Sequence, residues 1–149
     1  MQSSHAKYIN PVYLLESGEL VSGKVKLSSL KDFLGRVDNI HLEDNQHREC
    51  GYTFRCILGE GSRICITGKL TTQLKMICQR CMEKNDFVIE HRFTLYPIKI
   101  DHLKSLPKDL DPLIMNEKRD FSVYELVSEE LLLAVPFAPK HEDCSYKNT

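Results

Sequence analysis

The chain has 149 residues, 42% of them apolar and 28% charged, with a formal net charge of −1. That length suits one domain with a core of its own, and the composition excludes a disordered chain. No apolar run approaches the ~20 residues of a membrane helix, and the near-neutral charge excludes a protein that coats nucleic acid unaided.

The first residues, Met1-Gln-Ser-Ser-His-Ala-Lys7, open no apolar stretch of the secretory kind, so a cytoplasmic location is expected. The six cysteines then read as thiols or metal ligands and not as disulfides. Residues 8 to 27 read as short strands, with Gly18 and Gly23 as turn or bulge points. Ser28 or Ser29 caps a short helix through Leu30, Phe33 and Leu34, stopped by Gly35. Val37 to Leu42 reads as a weak strand, Glu43 to Gly51 as a polar loop, and Tyr52 to Leu58 as a strand ending in the turn Gly59-Glu-Gly-Ser62.

Two long strands follow. From Arg63 to Ile77 the apolar Ile64, Ile66, Leu70, Leu74 and Met76 alternate with Arg63, Thr67, Lys69, Thr71, Gln73 and Lys75, the period of a half-buried strand. From Asp86 to Ile100 the alternation is looser, with Phe87, Ile89, Phe93 and Leu95 on one face. Residues 101–120 hold Pro107, Pro112 and mixed charge without a period, so a flexible connection is expected there. Ser122 and Glu125 have capping-box spacing, and Val123, Leu126, Val127, Glu130, Leu131 and Ala134 share one side of a helix that Pro136 ends. Such a Leu-rich face must lie on the sheet. Glu129 and Glu130 read as solvated or helix-rim charges, since an acid pair without a matched cleft is poor ground for acid–base chemistry. The expected fold is therefore α+β: a single domain with a mainly antiparallel sheet, one C-terminal helix packed on it, and a short N-terminal helix. Residues 1–7 and 145–149 are expected as disordered tails.

Cys78-Gln-Arg-Cys81 falls at the tip of the hairpin made by the two long strands, where two thiolates from one tight turn suit a soft divalent ion. His141-Glu-Asp-Cys144 repeats the two-residue gap, and Cys78, Cys81, His141 and Cys144 together would form a tetrahedral zinc set that staples the tail to the tip. The alternative is that these four carry no ligand. A thioredoxin-like use of Cys78 and Cys81 fits less well, because that chemistry needs a helix N-terminus in a βαβ setting, and here the motif joins strands. Cys50, Cys56 and Cys65 stand alone, and Cys56 and Cys65 read as small packed residues of strands. No phosphate loop, nucleophile elbow or H-E-x-x-H is present in the sequence, and no histidine has a nucleophile or acid at a telling spacing. An enzyme is not expected, nor a small-molecule substrate.

Charge is uneven along the chain. Residues 63–100 carry seven Lys or Arg against three acids, whereas 101–149 carry ten acids against six bases. The hairpin excess fits a patch for phosphate, or simply a sheet face kept soluble by alternating Lys and Thr.

The order Cys78-Gln-Arg-Cys81, then Glu125-Leu-Val-Ser-Glu-Glu-Leu-Leu-Leu-Ala-Val-Pro136, then Pro139-Lys-His-Glu-Asp-Cys144 resembles the YceD family, the large ribosomal RNA subunit accumulation proteins of bacteria and plastids. The opening Leu20-Val-Ser-Gly-Lys-Val-Lys-Leu-Ser-Ser-Leu30 fits its first strand pattern as well. The resemblance implies a non-enzymatic factor in the synthesis, processing or stability of 23S ribosomal RNA. Many relatives carry a second C-x-x-C in a longer cysteine-rich end, where this chain has His141 and Cys144. The partner implied is large-subunit ribosomal RNA or a pre-ribosomal particle, met directly or through a protein. For direct contact the candidates are Lys69, Lys75, Arg80, Lys84 and Arg92 of the basic hairpin. The competing expectation is a protein-binding adaptor whose acidic third recruits an enzyme, and a weaker one is a thiol oxidoreductase.

Overall fold

The computed structural model describes residues 7–30 and 42–136. In chain order these form strand β1 (Tyr8–Ile9), helix α1 (Pro11–Ser17), β2 (Val21–Lys26), a one-turn helix α2 (Leu42–Asn45), β3 (Glu49–Leu58), β4 (Ile64–Ile77), β5 (Lys84–Lys99), β6 (Pro112–Met115), β7 (Phe121–Ser122) and α3 (Val123–Ala134). The main sheet has the order β2-β3-β4-β5-β6, antiparallel except for the parallel pair β5 and β6, and β1 pairs with β7 in a small second sheet. This is the α+β architecture expected, with the C-terminal helix on the sheet.

The alternation in β4 sets the two faces. Ile66, Leu70, Leu74 and Met76 meet Phe54, Ile89, Phe93 and Leu95 in one core, closed from above by α1 and α3 through Leu14, Val123, Leu126, Val127 and Leu131. Each fully buried side chain of this kind contributes about 1.5–3 kcal/mol. Gly68 lets β3 come close: a Cβ there would sit 2.5 Å from Phe54 Cβ and collide with the Thr53 carbonyl. Helix α3 starts where the capping box placed it, with the Glu125 amide donating to Ser122 Oγ at 3.1 Å.

The N-terminal third departs from expectation. Only Tyr8–Ile9 of the first segment is strand, and Pro11–Ser17 is helical. The reason is local: Asn10 Oδ1 accepts from the Val12 and Tyr13 amides, Pro11 takes the first helical position, and Gly18 closes the helix at φ 68°. Gly18 thus marks a helix end, while Gly23 lies inside β2 beneath the Tyr52 ring. Of the helix expected over 28–34, Leu27–Ser29 forms a single 3-10 turn, and residues 31–41 lie outside the described residues, as does most of the strand expected over 37–42. The expected loop 43–51 holds α2 and the start of β3. Segment 101–120 carries a 3-10 run, Ile100–Ser105, and β6. Leu106 and Leu110 from this segment cover Tyr96, Ile98 and Cys65 in a small second cluster. Of the expected tails 1–7 and 145–149, residues 1–6 and 145–149 lie outside the described residues, whereas Lys7 is held, its carbonyl accepting from the Val123 amide at 3.1 Å. Among the described residues no helix is long and apolar enough to cross a membrane.

Candidate nucleic-acid interface

The face of the sheet away from α1 and α3 is built by register. Lys69 lies opposite Arg92 on β5 and Thr53 on β3, and Ser22 of β2 completes the row. Two residues along, Lys24, Gly51, Thr71 and Glu90 form the next row. On the other side Arg55, Thr67 and Thr94 form a third. The hydroxyls and cations point outward because the odd residues of β4 alternate with the core-facing even ones.

The five hairpin cations divide. Lys75 Nζ lies 3.4 Å from Asp86 Oδ1, an acid that also takes Arg48 Nη2 at 2.8 Å. Lys84 Nζ lies 2.9 Å from Asp44 Oδ2. These contacts clamp the outer half of the hairpin to α2 and the turn after it. Lys69 reaches Glu90 Oε2 at 3.4 Å, an exposed and weak pairing. Arg92 and Arg80 are exposed and form no ion pair among the described residues, Arg80 at the tip and Arg92 in the middle of the face. Desolvation, the largest single influence, pushes the Asp86 carboxyl up, but the hydrogen bonds and charges of Arg48 and Lys75 together outweigh it and hold its pKa below the ordinary carboxylate value.

At the tip the Cys78 side chain is buried and that of Cys81 half-buried. The Arg80 amide donates to Cys78 Sγ at 3.4 Å, the Met82 amide bonds the Cys78 carbonyl at 2.8 Å, and Met82 sits at φ 63°. That turn aims a backbone donor at the Cys78 sulfur. His141 and Cys144, the other half of the expected zinc set, lie outside the described residues. Among the described residues no three His, Cys, Asp or Glu side chains come together as a metal site. Cys50, Cys56 and Cys65 are buried, as Cys56 and Cys65 were expected to be. Burial pushes the Cys50 thiol up to about 12, and burial with the neighbouring Cys65 pushes Cys56 up to about 11.

Two arrangements escaped sequence reasoning. Glu130 is not a rim charge: it is only 8% exposed, and its Oε1 lies 2.9 Å from His91 Nε2 beneath α3. The signal was available, since Glu130 fell on the apolar stripe of α3 and His91 on the Phe87–Leu95 face of β5. Asn45, fully buried, holds the edge of β4 by donating to the Lys75 carbonyl at 3.1 Å and accepting from the Lys75 amide at 2.8 Å. Nothing local announced it, because its partner is thirty residues away.

The family model described as "Large ribosomal RNA subunit accumulation protein YceD" matches residues 66–149, more than half of the chain. The chain belongs to the YceD family. A curated relative from Haemophilus influenzae, named Large ribosomal RNA subunit accumulation protein YceD, is 32% identical over 79 residues. That stretch is 52% of this chain and 45% of the relative, so the likeness spans under half of the relative's length. No solved structure matches. The YceD match begins inside β4 and takes in the hairpin, the cysteine tip, β6 and α3, whereas β1 to β3 precede it. The outer face of the sheet is thus part YceD hairpin and part N-terminal strands.

Proposed function

We propose that this chain serves the accumulation of large-subunit ribosomal RNA as a non-catalytic factor, and that it meets RNA phosphates through the outer face of its hairpin. The observation that carries this reading is the direct opposition of Lys69 and Arg92 on that face. Like charges placed opposite each other across strands are destabilising, and the exposed Glu90 offsets only the Lys69 side. A phosphate group would compensate both. The family's description and the name of the relative both concern the accumulation of large-subunit ribosomal RNA, which supports this reading. The carboxylates of Asp44 and Asp86 hold Lys84 and Lys75 in place, so these two act mainly on the shape of the arm and less on RNA.

The test is association with large-subunit ribosomal RNA as a function of salt, since phosphate contacts give a steep negative slope. Lys69→Glu with Arg92→Glu should weaken it strongly while circular dichroism stays unchanged. Association that survives both this double reversal and RNase treatment would establish the adaptor reading, in which the partner is a protein.

Zinc belongs to the same proposal. Cys78 and Cys81, with a backbone donor already directed at one sulfur, suit two ligands of a tetrahedral ion, and His141 and Cys144 would supply the others. The ion would act as a staple between the tail and the arm tip. About one equivalent of zinc in protein purified without a chelator or a His tag, and none in Cys81→Ser, is the expected result. No zinc in either would remove the ion from the proposal and leave the RNA reading standing.

A further inference from the structure

We infer that the outer face of β2 to β5 takes the sugar–phosphate backbone of base-paired RNA and not unpaired bases. This rests on the RNA reading above and deepens it. The face joins cations and hydroxyls in rows across four strands: Ser22, Thr53, Lys69 and Arg92 in one, with Arg55 and Thr67 leading the next. At ~4.8 Å between strands the face is roughly 14 Å wide. Cations bind phosphate, and side-chain hydroxyls both donate to and accept from a ribose 2′-OH.

The aromatic rings of these strands are committed elsewhere. Tyr52, Phe54, Phe87 and Phe93 belong to the core, and Tyr96, the ring that does point to the outer side, is packed with Leu106 and Cys65. Proteins that hold single strands do so largely by stacking bases on exposed rings. Paired RNA asks for something else: its wide, shallow groove displays 2′-hydroxyls and phosphates, and it is recognised by shape and by contacts to those groups. A shallow depression of about 500 Å³ on this face fits that demand. Lys24, His47 and Arg48 stand around it with a single acid, Glu49, and Gly51, Thr71 and Gln73 complete its lining. A side chain in place of Gly51 would begin to fill it, since even a Cβ would lie 3.4 Å from Thr71 Oγ1. Lys24, Arg55 and Arg92 form no ion pair among the described residues, so their charges remain available to a ligand.

The experiment is fluorescence anisotropy of the full chain with three probes: a short RNA duplex of mixed sequence, one of its strands alone, and the DNA duplex of the same sequence. The expected order places the RNA duplex on the order of tenfold tighter than the other two. Arg55→Gln with Arg92→Gln should make the slope of log affinity against log salt shallower by about 2, one for each lost phosphate contact. Thr53→Val with Thr71→Val should narrow the gap between RNA and DNA duplexes and leave the slope unchanged. Tighter or equal binding of the single strand, or an unaltered slope in the double arginine variant, would overturn the inference and leave RNA binding intact. Absence of binding to all three probes would overturn the RNA reading itself.

Discussion

The β4–β5 hairpin is held in two different ways along its length. In the half nearest the body, residues 66–71 of β4 lie between β3 and β5, and the backbone is laddered on both edges. In the outer half, residues 72–77 still pair with β5, but β3 has ended and side chains occupy the other edge. Asn45 takes the amide and carbonyl of Lys75, Arg48 donates to the Gln73 carbonyl at 3.2 Å, and Thr72 Oγ1 donates to the Glu49 carbonyl at 2.8 Å. An asparagine amide carries both a donor and an acceptor, so one side chain can stand in for a residue of a neighbouring strand. The lesson is that a strand can outrun its sheet when a few side chains complete its edge. The cost of losing any one of them is then concentrated at a single position.

The largest effect should come from the inner half. Gly68→Ala would drive a methyl group against the Thr53 carbonyl and Phe54, in a place where only backbone can yield. A loss of about 3 kcal/mol is expected by urea denaturation, since overpacking against rigid structure reaches this level. Asn45→Ala attacks the outer half and should cost about 2 kcal/mol, because it strands two backbone groups at once. Hydrogen exchange separates the two halves: the Lys75 amide should exchange much faster in Asn45→Ala, while Ile66 and Leu70 keep their protection. Equal acceleration in both halves would show that the hairpin opens as one unit.

Glu130→Ala probes the junction of the halves, where His91 lies opposite Leu70 and is tied to α3. About 1.5 kcal/mol is expected, the range for a hydrogen bond to a charged group, and Glu130→Gln should recover part of it. The smallest effect belongs to Asp86. Its lowered pKa means that its contribution is fully present above pH 3.8 and is lost as the pH falls through the lower folded value. The group is exposed, so about 0.2–1 kcal/mol is expected at low salt and less at high salt. Asp86→Asn should remove that difference above pH 3.8 and match the parent at lower pH.

The parts of the fold that follow from neighbours in sequence were legible. Alternation from Arg63 to Ile77 gave β4 and its two faces, and Ser122, Glu125 and Pro136 bounded α3. Helix α1 was legible as well, in Asn10-Pro11 and Gly18, but the run Val12 to Leu15 was weighed as strand ahead of its caps. What could not be read locally depends on distant partners. Strand β6 begins with a proline and pairs in parallel with β5, and parallel pairing leaves no mark on a four-residue segment. Asn45 sat in a polar run that looked like loop. For the candidate interface, outward placement of Lys69, Lys75 and Arg92 followed from the strand period. The commitment of Lys75 and Lys84 to Asp86 and Asp44 did not, because it needs the register of the hairpin and the position of α2. Neither could the row through Ser22 and Thr53 be seen before β2 and β3 were paired.

The pairing of β1 with β7 bears on the order of events during synthesis. Ile9 finds Phe121 and Tyr8 finds Ser122, and the Val123 amide bonds the Lys7 carbonyl. At translation rates of about 5–20 residues per second, Ile9 waits on the order of ten seconds for its partner to be made. Over that interval the core-facing sides of β4 and β5 lack the cover that α3 will bring. The sheet can be assembled as it emerges, strand after strand, with α1 on hand to cover β3, but the half of the lid that α3 forms arrives last. A nascent chain stalled anywhere before Phe121 would therefore present its apolar face to the chaperones around the exit, and completion of α3 is the step that withdraws it.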